Sequence, residues 1–172
     1  LVFCHPLEDG EGATHHAADM HHGKTTGGKW REKGLRDGAM ECDGQARTIV
    51  AHHADLCPQE FTVALWIYPI GETTNYQVVF AKTQPGSWYP GYGLVRYSGD
   101  SKHLYFFVNN YSSSGVKAEI PYNKWSHLGC TFDGTTIKIY LNGKLAESKD
   151  LKAAGLLQAG LIAVLLRERQ RR

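Results

Sequence analysis

Apolar and polar positions along this chain follow the two-residue period of β-strands, and nothing between Phe61 and Gly143 shows the period of an amphipathic helix. The segment Phe61 to Pro69 (FTVALWIYP) is rich in β-branched and aromatic residues and ends at a proline that cannot donate to a sheet ladder, which predicts a buried strand. Similar segments predict strands at Gln77 to Lys82, Tyr92 to Tyr97, His103 to Asn109, Ser126 to Phe132 and Thr136 to Leu141. The dipeptides Asp133-Gly134 and Asn142-Gly143 supply the positive φ angles of tight turns and bracket the alternating run TTIKIYL, a strong hairpin signal. Many short strands with turn residues between them predict an all-β fold, an antiparallel sandwich or barrel.

The first sixty residues are more polar, with candidate strands at Leu1 to Cys4, Gly38 to Cys42 and Thr48 to Ala51 joined by long loops. From Leu151 the character changes: LKAAGLLQAGLIAVLLRERQRR has no turn dipeptide, and its Leu- and Ala-rich run fits a helix or a strand equally. Two units are therefore expected, a sandwich domain over residues 1–150 and an atypical C-terminal tail over 151–172. A length of 172 residues leaves no room for two independent cores, and 42% apolar with 21% charged residues excludes a disordered chain.

The net charge of +2 is owed to the tail, whose last six residues hold four Arg and one Glu, so the remainder offers no broad attraction for nucleic acid. No apolar run approaches the roughly 20 residues of a membrane span, and the segment from Leu1 lacks a signal-peptide pattern, as a mature or excised piece would. Cys4, Cys42, Cys57 and Cys130 lack CxxC spacing. Cys42 and Cys130 are expected to act as small core hydrophobes, and one long-range disulfide stays open.

The order of motifs resembles that of concanavalin A-like sandwiches of the laminin G, jelly-roll type. LVFCHPLEDGEGAT, AADMHHGKTTGG and GAMECDGQARTIVAH are similar to the family's opening strand, its Asp-x-Ser-Gly-Asn-Gly loop and the strand that follows. FTVALWIYP resembles its Phe-Thr-x-x-x-Trp-x-x-Pro strand, and KWSHLGCTFDGTTIKIYLNGKL its Trp-x-His to Asn-Gly hairpin. The tail departs from the family's final Ile-Asp-x-Val-x-Ile-Tyr strand, so Leu156 to Leu166 is expected to cover part of the gap that its loss would leave. The resemblance implies a non-catalytic extracellular or cell-surface module that binds carbohydrate or a protein partner through edge loops. The alternative it leaves is an accessory module or fragment of a glycan-active enzyme.

Glycoside hydrolysis needs two carboxylates about 5–9.5 Å apart. No strand carries such an acid cluster, and Glu8, Asp9 and Glu11 stand in a glycine-containing turn. The resemblance implies a calcium ion at Asp19, although Met20, His21 and His22 replace residues that would give oxygen ligands. Asp19 capping a turn through its own backbone is an equally good reading. The pairs His15-His16, His21-His22 and His52-His53 match no metal motif and read as solvated loop histidines. A Gly-Lys-Thr run at Gly23 to Thr25 lacks the flanking strand and helix of a phosphate loop.

QPGSWYPGYGLVRY, from Gln84 to Tyr97, gathers aromatics around Pro and Gly, and flat rings with a polar rim are what sugars dock against. Trp88, Tyr89 and Tyr111 are the expected ligand-binding residues, whereas Tyr92 and Tyr97 are expected to pack in or between the sheets. Asn110-Tyr111-Ser112 is a glycosylation sequon, meaningful in a eukaryotic secreted protein. The resemblance assigns Trp66 and Trp125 to core packing.

Overall fold

A computed structural model describes residues 14–15, 21, 23–35, 38–71, 75–84, 87–151, 162–165 and 167–168. The expected strand at Leu1 to Cys4, and with it Cys4 and Asp19, lies outside these residues. The strands, in chain order, are β1 (Thr14–His15), β2 (Gly23–Thr26), β3 (Lys29–Arg31), β4 (Ala39–Glu41), β5 (Arg47–Val50), β6 (Phe61–Ile67), β7 (Gln77–Thr83) and β8 (Gly91–Arg96). They continue with β9 (His103–Val108), β10 (Gly115–Glu119), β11 (Ser126–Phe132), β12 (Thr136–Leu141), β13 (Lys144–Asp150), β14 (Ile162–Leu165) and β15 (Arg167–Glu168). One 3-10 turn, Ala54–Leu56, follows β5.

The larger sheet runs β1-β2-β5-β14-β7-β8-β9-β10, with β15 also paired to β7; the smaller runs β13-β12-β11-β6, and β3 and β4 form a separate ribbon. All pairings are antiparallel. The two main sheets pack face to face around Phe80, Leu94, Phe106 and Val108 from one side and Leu128, Cys130, Ile137 and Ile139 from the other. The fold is thus the expected antiparallel β-sandwich, whose facing side chains form one apolar layer.

Two-residue alternation decides what each strand puts inside. On β6, Phe61, Val63, Leu65 and Ile67 pack against the core. Trp66 therefore points the other way and is 50% exposed, which corrects its assignment to core packing. Its register partner on β11 is His127, and their rings lie 5.0 Å apart. Trp125 is half-buried beside Tyr68, at 5.5 Å.

The Asn142-Gly143 turn joins β12 to β13 with Leu141 opposite Lys144, and φ angles of 50° and 79° at the two loop residues are those of a primed hairpin turn. In the Asp133 turn the carboxylate accepts from the backbone N–H groups of Thr135 and Thr136. Cys130 is fully buried, while Cys42 at the end of β4 is only half-buried. Cys42 and Cys130 are free thiols. Ile162–Leu165, within the stretch expected to cover a gap, lies between β5 and β7 and pairs with both.

Candidate functional site

The outward face of the larger sheet is aromatic. Strand alternation sends Val78, Ala81, Val95 and Phe107 to this side, where they form a second buried cluster beneath Tyr76, Trp88, Tyr97, Tyr105 and Tyr111. Phe107 lies opposite Gly93 on β8, and a Cβ at Gly93 would come within 3.1 Å of the Phe107 ring and 2.8 Å of the Phe80 carbonyl. A glycine here lets the ring and the backbone of β7 approach closely.

The expected trio divides. Trp88 and Tyr111 meet, their rings stacked at 5.6 Å with an interplanar angle of 23°. Trp88 also touches Tyr76 edge-on at 5.8 Å and Phe107 at 6.2 Å, so its indole is partly buried in the cluster. Tyr89 takes no part in this packing and is 62% exposed. Ser87 holds the loop locally, its hydroxyl donating to the Tyr89 carbonyl at 2.9 Å. The Tyr111 loop is shaped by Asn110, whose side-chain oxygen accepts from the Ser112 and Ser113 backbone N–H groups.

Tyr92 points inward, as expected, and its hydroxyl donates to the Leu56 carbonyl at 3.1 Å. Tyr97, just beyond β8, turns outward, stands 4.3 Å from Tyr105 and 5.0 Å from Tyr111, and donates its hydroxyl to the Tyr111 carbonyl. Burial, with the neighbouring Tyr111, pushes the Tyr97 phenol up to about 12. Burial also pushes Tyr105 up to about 12, helped by its bond to Asp100. The face therefore keeps these two phenols as neutral hydrogen-bonding groups at physiological pH.

Asp100 anchors one end of this face. Its carboxylate accepts from the Tyr105 hydroxyl at 2.6 Å, the Lys102 N–H at 2.8 Å and the His103 N–H at 3.0 Å, with the His103 ring at 3.1 Å. Partial burial alone would raise its pKa, but these bonds outweigh burial and hold the carboxyl well below the usual range. Arg96 is buried on the core side of β8, where it donates to Gln77 and the Ser101 carbonyl and lies over the Tyr122 ring.

Trp88 and Tyr111, singled out from their loop context, are brought together in one aromatic cluster. Tyr76, Tyr97 and Tyr105 join that cluster without having been expected there, although strand alternation places Tyr105 and Phe107 on one side.

A jelly-roll sandwich with a ring-lined outer face is a lectin-like architecture. The chain belongs to the concanavalin A-like lectin/glucanases superfamily: its laminin G-type family model matches residues 43–169, a range that includes β14 and β15 but not Asp19. No curated protein sequence gives a match. Among solved structures, domain 4 of AbnA, an extracellular arabinanase from Geobacillus stearothermophilus in complex with arabinotriose, aligns with TM-score 0.65 and 19% identity over 95% of this chain and 80% of that one. The binding domain of botulinum neurotoxin DC in complex with rat synaptotagmin II aligns with TM-score 0.66 and 14% identity, over 98% and 44%. The structure described as HCR/D-Sa-GBL1/C gives 0.71 and 15%, over 98% of this chain, which spans 44% of that chain's length. At these identities the likeness is one of fold.

Proposed function

We propose that this chain is a non-catalytic, extracellular or cell-surface binding module that recognises carbohydrate, with Tyr89 as the exposed stacking ring beside the wall formed by Trp88 and Tyr111. The observation that carries this reading is the packed Trp88–Tyr111 stack with Tyr89, the residue after Trp88, left 62% exposed. A sugar ring presents axial C–H groups to such a face, while the phenol oxygens of Tyr97 and Tyr105, whose hydrogens are donated to the Tyr111 carbonyl and to Asp100, are suited to accept from its hydroxyls. The arabinotriose in the arabinanase domain and the synaptotagmin II in the neurotoxin binding domain mark the two partner classes that this fold serves there.

Calorimetric titration with arabino-oligosaccharides and with sialylated oligosaccharides, on the wild type and on Tyr89→Ala, tests this reading. Saturable binding by the wild type and at least a tenfold loss in the variant supports it; equal affinity in the two removes Tyr89 from the site. A structural calcium at Asp19 belongs to the same reading. His21, a described residue of that loop, offers nitrogen, so the oxygen donors a hard ion prefers would come from Asp19 and backbone carbonyls. A calcium-dependent rise in melting temperature that Asp19→Asn abolishes is the expected result.

The similarity to a domain of an arabinanase supports a second reading, an accessory module of a glycan-active enzyme. Both readings predict binding without turnover by this chain, and hydrolysis of an arabinan by the purified chain would overturn both.

A further inference from the structure

Away from the aromatic face, His21, His53 and Asp55 place one ligand atom each within 4.8 Å of one another. His21 precedes β2, while His53 and Asp55 belong to the 3-10 turn after β5, so pairing of β2 with β5 brings together residues far apart in sequence. The residues of the His52-His53 pair then face different neighbours: His52 Nδ1 lies 3.1 Å from Lys82 Nζ, and the His53 ring lies 4.6 Å from that of His21.

The cluster is electrostatically incomplete. His53 Nδ1 accepts the Asp55 backbone N–H at 3.3 Å, which directs its lone pair to that side, yet the Asp55 carboxylate Oδ2 sits 3.2 Å away. Either a proton or a metal ion on Nδ1 satisfies this contact, and a metal there displaces the long bond from the Asp55 N–H. His21 Nε2 lies 3.6 Å from the same oxygen, too far for a hydrogen bond, and that nitrogen is buried with no hydrogen-bond partner on a side chain only 7% exposed. A buried, unpartnered nitrogen aimed at a carboxylate is costly in an apoprotein and is what a metal ligand requires.

We infer that His21, His53 and Asp55 form a binding site for a first-row divalent transition metal ion, with zinc as the best fit. Two imidazole nitrogens and one carboxylate oxygen suit zinc and disfavour calcium or magnesium. A tetrahedron with ligands at about 2.0–2.1 Å has edges of about 3.3 Å, between the two observed separations from Asp55 Oδ2. The third separation, between the two histidines, lies within 4.8 Å and shortens as both rings turn to the ion. Three protein ligands leave a fourth position open to water or to an oxygen of a bound molecule. The ion ties His21, ahead of β2, to the turn after β5, and so fastens two strands at one end of the larger sheet. This inference is independent of the glycan-binding reading.

The test uses zinc chloride as the probe on the full chain after chelator treatment, comparing wild type with Asp55→Asn, His53→Gln and His21→Asn. Asparagine is chosen at His21 because φ there is +64°, a conformation that Asn tolerates. Zinc is expected to raise the wild-type melting midpoint in a saturable way and each variant to bind at least tenfold more weakly. A wild-type midpoint that zinc leaves unchanged overturns the inference. Equal zinc affinity in all three variants also overturns it, by moving the ion to other histidines of the chain. Should a variant unfold, zinc-edge X-ray absorption of the loaded wild type decides: two imidazoles with oxygen ligands support the site, and any other imidazole number refutes it.

Discussion

Replacing Trp88 and Tyr89 in turn by alanine separates support from recognition within one loop. Trp88 packs against Tyr76, Phe107 and Tyr111, whereas Tyr89 is 62% exposed. A tryptophan buries about 150–250 Å² when fully covered. Taking about 120 Å² as lost with the partly covered indole, at about 25 cal/mol per Å², gives about 3 kcal/mol. For a chain of this size that lowers Tm by about 6–12 °C, since each kcal/mol is worth about 2–4 °C. Tyr89→Ala removes a side chain without such packing and should stay within about 0.5 kcal/mol of wild type. The assay is thermal unfolding by circular dichroism, followed by glycan titration on whichever variant remains folded. Trp88→Ala melting within 2 °C of wild type, against the ~6 °C minimum this accounting requires, would refute the packing argument, and Tyr89→Ala melting as low as Trp88→Ala would refute the division between them.

Asp100→Asn should cost about 2 kcal/mol at neutral pH, because hydrogen bonds to a charged acceptor are worth about 1.5–3 kcal/mol and Asn keeps some of them. The folded-state pKa of Asp100 is depressed, so its contribution is present above the unfolded value of about 3.9 and fades as pH falls below it. The gap in Tm between wild type and Asp100→Asn should therefore shrink on titration below about pH 4. Gly143→Ala meets no neighbouring atom, yet φ of 79° opposes any Cβ, so a loss of about 1–2 kcal/mol in denaturant unfolding is expected; an unchanged midpoint would contradict the turn assignment. Cys130 is fully buried and its thiol pKa is pushed well up by burial, so it should resist a thiol reagent in the native chain and react only on unfolding. Native labelling of Cys130, located by mass spectrometry, would count against this core.

The sequence was most legible where two signals coincided. β6, β11 and β12 carry both apolar alternation and turn residues, and their observed bounds lie close to the expected ones. β13, Lys144–Asp150, is exposed at every position, so it buries nothing that a hydrophobic pattern could reveal and follows only from the hairpin turn before it. β10 carries just Val116 and Ala118 inward, too few apolar positions to stand out. Trp66 was misplaced because a motif position outweighed the alternation that puts its neighbours Leu65 and Ile67 inside. The contacts at Trp88 and Tyr111 depend on side-chain directions in two loops, and those among His21, His53 and Asp55 on a strand pairing, neither of which is written in local spacing.

The position of β14 has a kinetic consequence. β5 and β7 are made early and stand on either side of β14, which is synthesised only after every strand of the smaller sheet. During translation both must wait with unpaired N–H and C=O groups facing the missing strand, a template for pairing with another chain. Contacts that close such long loops form slowly. The nascent protein thus passes through a period in which its larger sheet is split in two, and the yield of folded material will depend on how quickly Ile162–Leu165 arrives relative to intermolecular encounter.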